Sequence, residues 1–88
     1  MELGGNITLE GFDSLEPAIL IVVKKVVGNY AKKMSEITVF KSLKVVRNGT
    51  DIDTILILEG KEFSAKASHN NLFFALDMSL TQIIGKLK

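Results

Sequence analysis

Two apolar stripes at helical spacing, one early and one at the end of the chain, restrict its fold more than any other feature. The first runs through Leu15, Ile19, Val22, Val23, Val26, Val27, Tyr30 and Met34. A recurrence near 3.6 residues places these side chains on one side of a helix. Asp13 or Ser14 can cap its start, Glu16 suits the positive end, and Pro17 is tolerated in a first turn. The spacing predicts a helix over roughly 15–33. The second stripe, Leu72, Phe73, Leu76, Leu80, Ile83, Ile84 and Leu87, predicts another over roughly 71–87, with caps available in Ser68-His69-Asn70-Asn71.

The segments around these helices read as strands. Ile7 and Leu9 alternate with polar neighbours, and Gly11 ends that run. Glu36 to Arg47 is rich in Val, Ile, Thr and Phe and predicts a long second strand, with Ile37, Val39, Leu43 and Val45 in one phase. Asn48-Gly49 signals a hairpin, lengthened by Thr50 and Asp51, before a third strand over Asp53 to Leu58. After Glu59-Gly60-Lys61, Phe63, Ala65 and Ala67 alternate with Glu62, Ser64 and Lys66 in a fourth strand. The order β-α-β-β-β-α predicts an α+β two-layer sandwich, a four-stranded sheet with two helices packed on one face. A right-handed first crossover would leave strands one and two parallel.

With 88 residues and 47% apolar content, the chain suits one domain with one core, residues 1–88. No cysteine is present, which excludes disulfides and thiolate metal sites and fits a reducing, cytoplasmic setting. The opening Met-Glu-Leu-Gly-Gly has no basic and apolar leader pattern. The longest apolar run, Ala18 to Val23, falls far short of the roughly 20 residues of a membrane span.

Catalytic chemistry finds little support. His69 is the single histidine, and beside Asn70-Asn71 it reads as a cap-region residue rather than a general base. Asp51 and Asp53 share a strand face, where aspartates flanking a turn are solvated more often than they hold a cation. Gly4-Gly5 precedes a strand and makes no phosphate loop. These residues predict a non-enzymatic binding protein with no cofactor, metal or small-molecule substrate.

The surface residues support two readings. Eleven Lys/Arg against ten Asp/Glu give no bulk attraction to nucleic acid, so such binding would need local clustering. Lys24, Lys25, Lys32, Lys86 and Lys88 fall on the outer sides of the helices and can meet phosphates. Ile21, Phe74 and Met78 fall there too and form a candidate protein-binding patch. Phe40, Val46, Leu56 and Leu58 are expected on the sheet face away from the helices, where a homodimer would form through the open sheet.

Three stretches carry a family resemblance: Glu16-Pro17-Ala18-Ile19, the Gly-Lys-x-x-x-Ala-x-Ala pattern of Gly60 to Ala67, and Asn-Leu-Phe-x-Ala-Leu-Asp from Asn71 to Asp77. With the element order, they resemble the short form of the ribosome hibernation-promoting factors and ribosome-associated inhibitors. The resemblance implies the same sandwich, no enzymatic activity, and binding of small ribosomal subunit RNA through basic residues on the helical face. Where family members carry basic residues on the first helix, this chain has Val26 and Asn29 and keeps Lys32; on the last helix those positions hold Gln82 and Gly85. The alternative is a homo-oligomeric or protein-binding module on the same fold.

Overall fold

The computed structural model describes residues 2–3 and 6–87. Strand β1 (Ile7–Glu10) leads to helix α1 (Pro17–Ile37), strands β2 (Ser42–Asn48), β3 (Asp51–Leu58) and β4 (Lys61–Ser68), and helix α2 (Leu72–Leu87). The sheet order is β1-β2-β3-β4. β1 lies parallel to β2, as a strand-helix-strand crossover requires, and the two hairpins make the other pairings antiparallel.

Strand alternation decides which residues meet the helices. Leu9 pairs with Val45, Val45 with Thr54 and Thr54 with Ala65, giving one inward row across the whole sheet. Ile7, Leu43, Leu56 and Phe63 form the next row. Against these rows α1 buries Val23, Val27, Ala31 and Met34, and α2 buries Ala75, Leu76, Leu80 and Ile83. Both helices therefore share one sheet face and one core. Val23, Leu76, Leu80 and Ile83 are fully enclosed and Ala65 is buried, while Ile19, Val26, Tyr30 and Phe63 pack at the margin of the core.

Local chemistry explains most boundaries. β2 and β3 are joined by Gly49-Thr50 alone, with Asn48 paired to Asp51, so the hairpin is shorter than the sequence suggests. Gly49 has φ +64°, the conformation that the first position of a tight type II′ turn demands. At the start of α2, Asn71 Oδ1 accepts the Phe73 N–H at 2.9 Å and the Phe74 N–H at 3.4 Å, a side-chain N-cap. α1 has no such cap: Glu16 occupies the N-cap position without a side-chain bond, and neither Asp13 nor Ser14 takes that role. Between β1 and α1, Gly11 turns at φ +81° and Phe12 is driven fully into the core.

The largest departure lies between α1 and β2. The segment from Glu36 was expected to be extended, yet α1 continues through Ile37, and β2 starts only at Ser42. Ile37 and Val39 are exposed, Val39 at 89%. Their β-branched side chains imitate a strand, but Met34 sits in the core as part of the helix stripe and carries the helix beyond it. Thr38, extended at φ −154°, ends the helix, its N–H still bonded to the Met34 carbonyl.

Candidate nucleic-acid interface

The outer surface of α1 holds four lysines, Lys24, Lys25, Lys32 and Lys33, with no acidic residue between Pro17 and Ser35. They belong there because the inward side of α1 is taken by Val23, Val27, Ala31 and Met34, and a helix shows its remaining positions to water. Lys25 stands on the crest. Lys32 lies on the flank above β1, beside Gly28 and Ser35, where it borders a cleft with Asn6 and Ile7. Lys33 lies on the opposite flank, its ammonium 5.2 Å from the centre of the Tyr30 ring. Among the described residues, the three ion pairs all lie elsewhere: Lys44–Glu10 at 2.7 Å, Lys66–Asp51 at 3.6 Å and Lys41–Glu59 at 3.9 Å. The α1 lysines are left un-neutralised.

Tyr30 joins the two helices. Its hydroxyl donates to the Asp77 carboxylate and lies 3.3 Å from Thr81 Oγ1. Burial, followed by the bond to Asp77, raises the Tyr30 phenol above its ordinary value, with the contact to Thr81 opposing. The contact also orients the helical layer. Tyr30 marks the side of α1 that meets α2, whereas Ile21 shares its stripe with Gly28 and Lys32 on the side above β1. Ile21, 65% exposed, is therefore separated by the width of α1 from Phe74 and Met78 on α2, and the three form no single plateau. Phe74 is 58% exposed and receives His69 edge-on, ring centres 5.0 Å apart.

The remaining expected site residues are scattered by the fold. Lys86 turns to the free edge of β4, where its ammonium donates to the Ser64 carbonyl. Lys88 lies outside the described residues. Leu56, expected on the open face of the sheet, is instead fully buried, because β3 alternates Ile52, Thr54 and Leu56 toward the helices. Phe40 likewise packs against the core from the α1–β2 connection, and Leu58 is of inward parity. The open face carries Val46, Ile55 and Ile57 among Glu10, Lys44, Asp53, Glu62 and Lys66, a mixed surface in place of the bare apolar one.

Two features were illegible in the sequence. Asp51 is engaged by the Ser68 hydroxyl, which lowers its carboxyl below the ordinary range, with Lys66 adding to the effect against burial. Ser79 Oγ donates to Thr54 Oγ1 at 2.7 Å and lies 3.3 Å from the Ala65 carbonyl oxygen, a buried polar link from α2 to β3 and β4. No helix of the described residues is long and apolar enough to cross a membrane.

The architecture is that of a small α+β sandwich with a mixed sheet and one basic helix exposed. No protein-family model matches the chain, and no curated protein does. Solved structures do. The chain resembles the N-terminal domain of Thermus thermophilus Protein Y, with a TM-score of 0.61 and 13% identity, over 96% of this chain and 97% of that one. It resembles equally a ribosomal subunit interface protein from Coxiella burnetii, with a TM-score of 0.61 and 15% identity over 94% and 93% of the two chains. At this identity the likeness is one of fold. The fold implied by Glu16–Ile19, Gly60–Ala67 and Asn71–Asp77 is thereby borne out.

Proposed function

We propose that this chain is a non-enzymatic, ribosome-associated factor that engages small-subunit ribosomal RNA through the helical layer, chiefly through α1. The observation that carries this reading is the lysine surface of α1, with Glu36 at its C-terminal end as its one acidic residue and none of its lysines in an ion pair among the described residues, on a fold shared with a ribosomal subunit interface protein. Lysine ammonium groups bind phosphate as point charges, and their contacts position a protein on RNA without reading its sequence. Lys24, Lys25, Lys32 and Lys33 supply that charge across the width of one helix. The opposite face of the molecule is mixed, with Glu10, Asp51, Asp53 and Glu62 against Lys44 and Lys66, and those two lysines are paired with Glu10 and Asp51, so it offers no comparable basic surface. The single histidine and the absence of cysteine leave few groups for acid–base or nucleophilic catalysis. A cytoplasmic location goes with this reading.

Sedimentation through sucrose gradients tests it. At low salt the chain is expected to travel with small ribosomal subunits, and raising the salt should release it. Failure to co-sediment at low salt would overturn the proposal. The protein-binding alternative draws on Phe74 and Met78, neighbours on the outer side of α2. It predicts instead that Phe74→Asp disrupts a complex that the lysines do not influence.

A further inference from the structure

One charged side chain stands where the alternation of the sheet calls for a core residue. Arg47 continues the inward row of β2 after Leu43 and Val45, opposite Ile52. The other inward charge, Lys61, lies at the far end of the sheet beside its turn and is exposed. Arg47 is half-buried under the helical layer, and its Nη1 donates to the Gly11 carbonyl at 3.0 Å. That bond uses one of the five N–H groups of a guanidinium. The same side chain borders a cleft of about 430 Å³ between the starts of the two helices and the β2–β3 turn. Leu15, Ile19, Leu72 and Phe73 supply its apolar wall, and His69 and Thr50 lie at its rim. Among the described residues, no carboxylate lines it. The N–H groups of Phe73 and Phe74 are already taken by Asn71, and His69 Nδ1 accepts the Asn71 N–H at 2.8 Å, so the charge preference of the cleft rests on Arg47.

We infer that this cleft binds a small monoanion with an apolar body, an aryl-alkyl carboxylate, with its carboxylate on Arg47 and its body against Leu15, Ile19, Leu72 and Phe73. A volume near 430 Å³ lies within the range of small-molecule sites, which run from about 300 to 1,000 Å³. One guanidinium with no competing acid matches one carboxylate, and the planar fork favours that partner over a spherical ion. The site is on the end of the molecule and does not depend on the ribosomal reading.

The test is an amide-resolved NMR titration of the whole chain with 3-phenylpropanoate, alongside 3-phenylpropan-1-amine and inorganic phosphate. Saturable shifts confined to Leu15, Ile19, Gly49, Thr50 and residues 69–73 are expected with the carboxylate alone. Arg47→Gln should weaken binding by about tenfold or more, and Arg47→Lys by less. Because Arg47 also holds Gly11, Thr50→Glu serves as a second variant: it adds a negative charge at the exposed rim and should weaken binding severalfold. Equal binding of the amine, equal binding of phosphate, absence of saturation, or unchanged affinity in Thr50→Glu would each overturn the assignment.

Discussion

Tyr30 is the residue whose state can be read most directly, because it is the single tyrosine of the chain. Its phenol is raised by burial and by donating to Asp77, so the folded protein holds that proton more tightly than the unfolded chain does. The stabilisation is fully present below the ordinary tyrosine value of about 10 and is lost as pH rises through the folded value. Alkaline ultraviolet titration should therefore show an inflection above about 10, moving downward in Asp77→Asn. An inflection at the ordinary value would mean that neither the burial nor the bond holds in solution. Tyr30→Phe should cost about 0.5–1.5 kcal/mol near neutral pH and remove this alkaline loss. The position of Tyr30 on the helix stripe was legible from spacing alone. Its partner was not, since Asp77 lies 47 residues away and nothing in either local pattern links them.

At the scale of elements, packing overrode propensity where the two disagreed. The run Ile37-Thr38-Val39-Phe40 has strand composition, yet all of it serves to end a helix and turn the chain. In α2, Ser79 occupies a fully buried position among Leu76, Leu80 and Ile83, where a hydroxyl is tolerated only with a partner. Thr54 on β3 is that partner, itself fully buried. Ser79→Ala should cost about 1–3 kcal/mol by leaving the Thr54 hydroxyl unpaired, whereas Thr54→Val leaves Ser79 the Ala65 carbonyl and should cost less. The double variant should be closer to wild type than the sum of the two, in a denaturant-melt double-mutant cycle. Strict additivity would show that the hydroxyls do not act as a pair.

For the whole molecule, the useful quantity is where charge lies rather than how much there is. A formal net charge of +1 predicts no attraction to RNA, but the lysines along α1 stand outside any ion pair among the described residues, whereas Lys44 and Lys66 on the open sheet are paired with Glu10 and Asp51. Each sheet edge is engaged at a few points only. Glu2 bridges to Thr8 on β1, with the Leu3 N–H on the Ile7 carbonyl at 2.8 Å, and Lys86 occupies the Ser64 carbonyl on β4. In the ribosomal reading, replacing Lys25 and Lys32 by Glu should lower affinity severalfold or more while circular dichroism stays native, because both side chains point away from the core. Affinity should fall with salt at a log–log slope of about −0.7 to −0.9 per phosphate neutralised, and less steeply in the double variant. Salt-insensitive binding, or binding indifferent to both reversals, would exclude phosphate contacts by α1.

The number and order of elements, the faces of both helices and the alternation of β4 followed from the sequence by itself. Each is written in spacings of a few residues: Val23 to Val27 to Met34, Leu76 to Leu80 to Ile83, Phe63 to Ala65 to Ala67. Tertiary structure alone decided which side of each helix faces its neighbour, and with it that Ile21 and Phe74 lie apart. It decided the face of β3 as well, because the run Ile55-Ile57 and Leu56-Leu58 is apolar in both phases and only pairing with Leu43 and Phe63 directs Leu56 inward. It also brought Arg47 to Gly11 and to the cleft between the helix starts. The physical reason is the same in each case. Local periodicity determines which side of an element is apolar, but the azimuth at which two elements meet is set by long-range contacts that no short window of sequence contains.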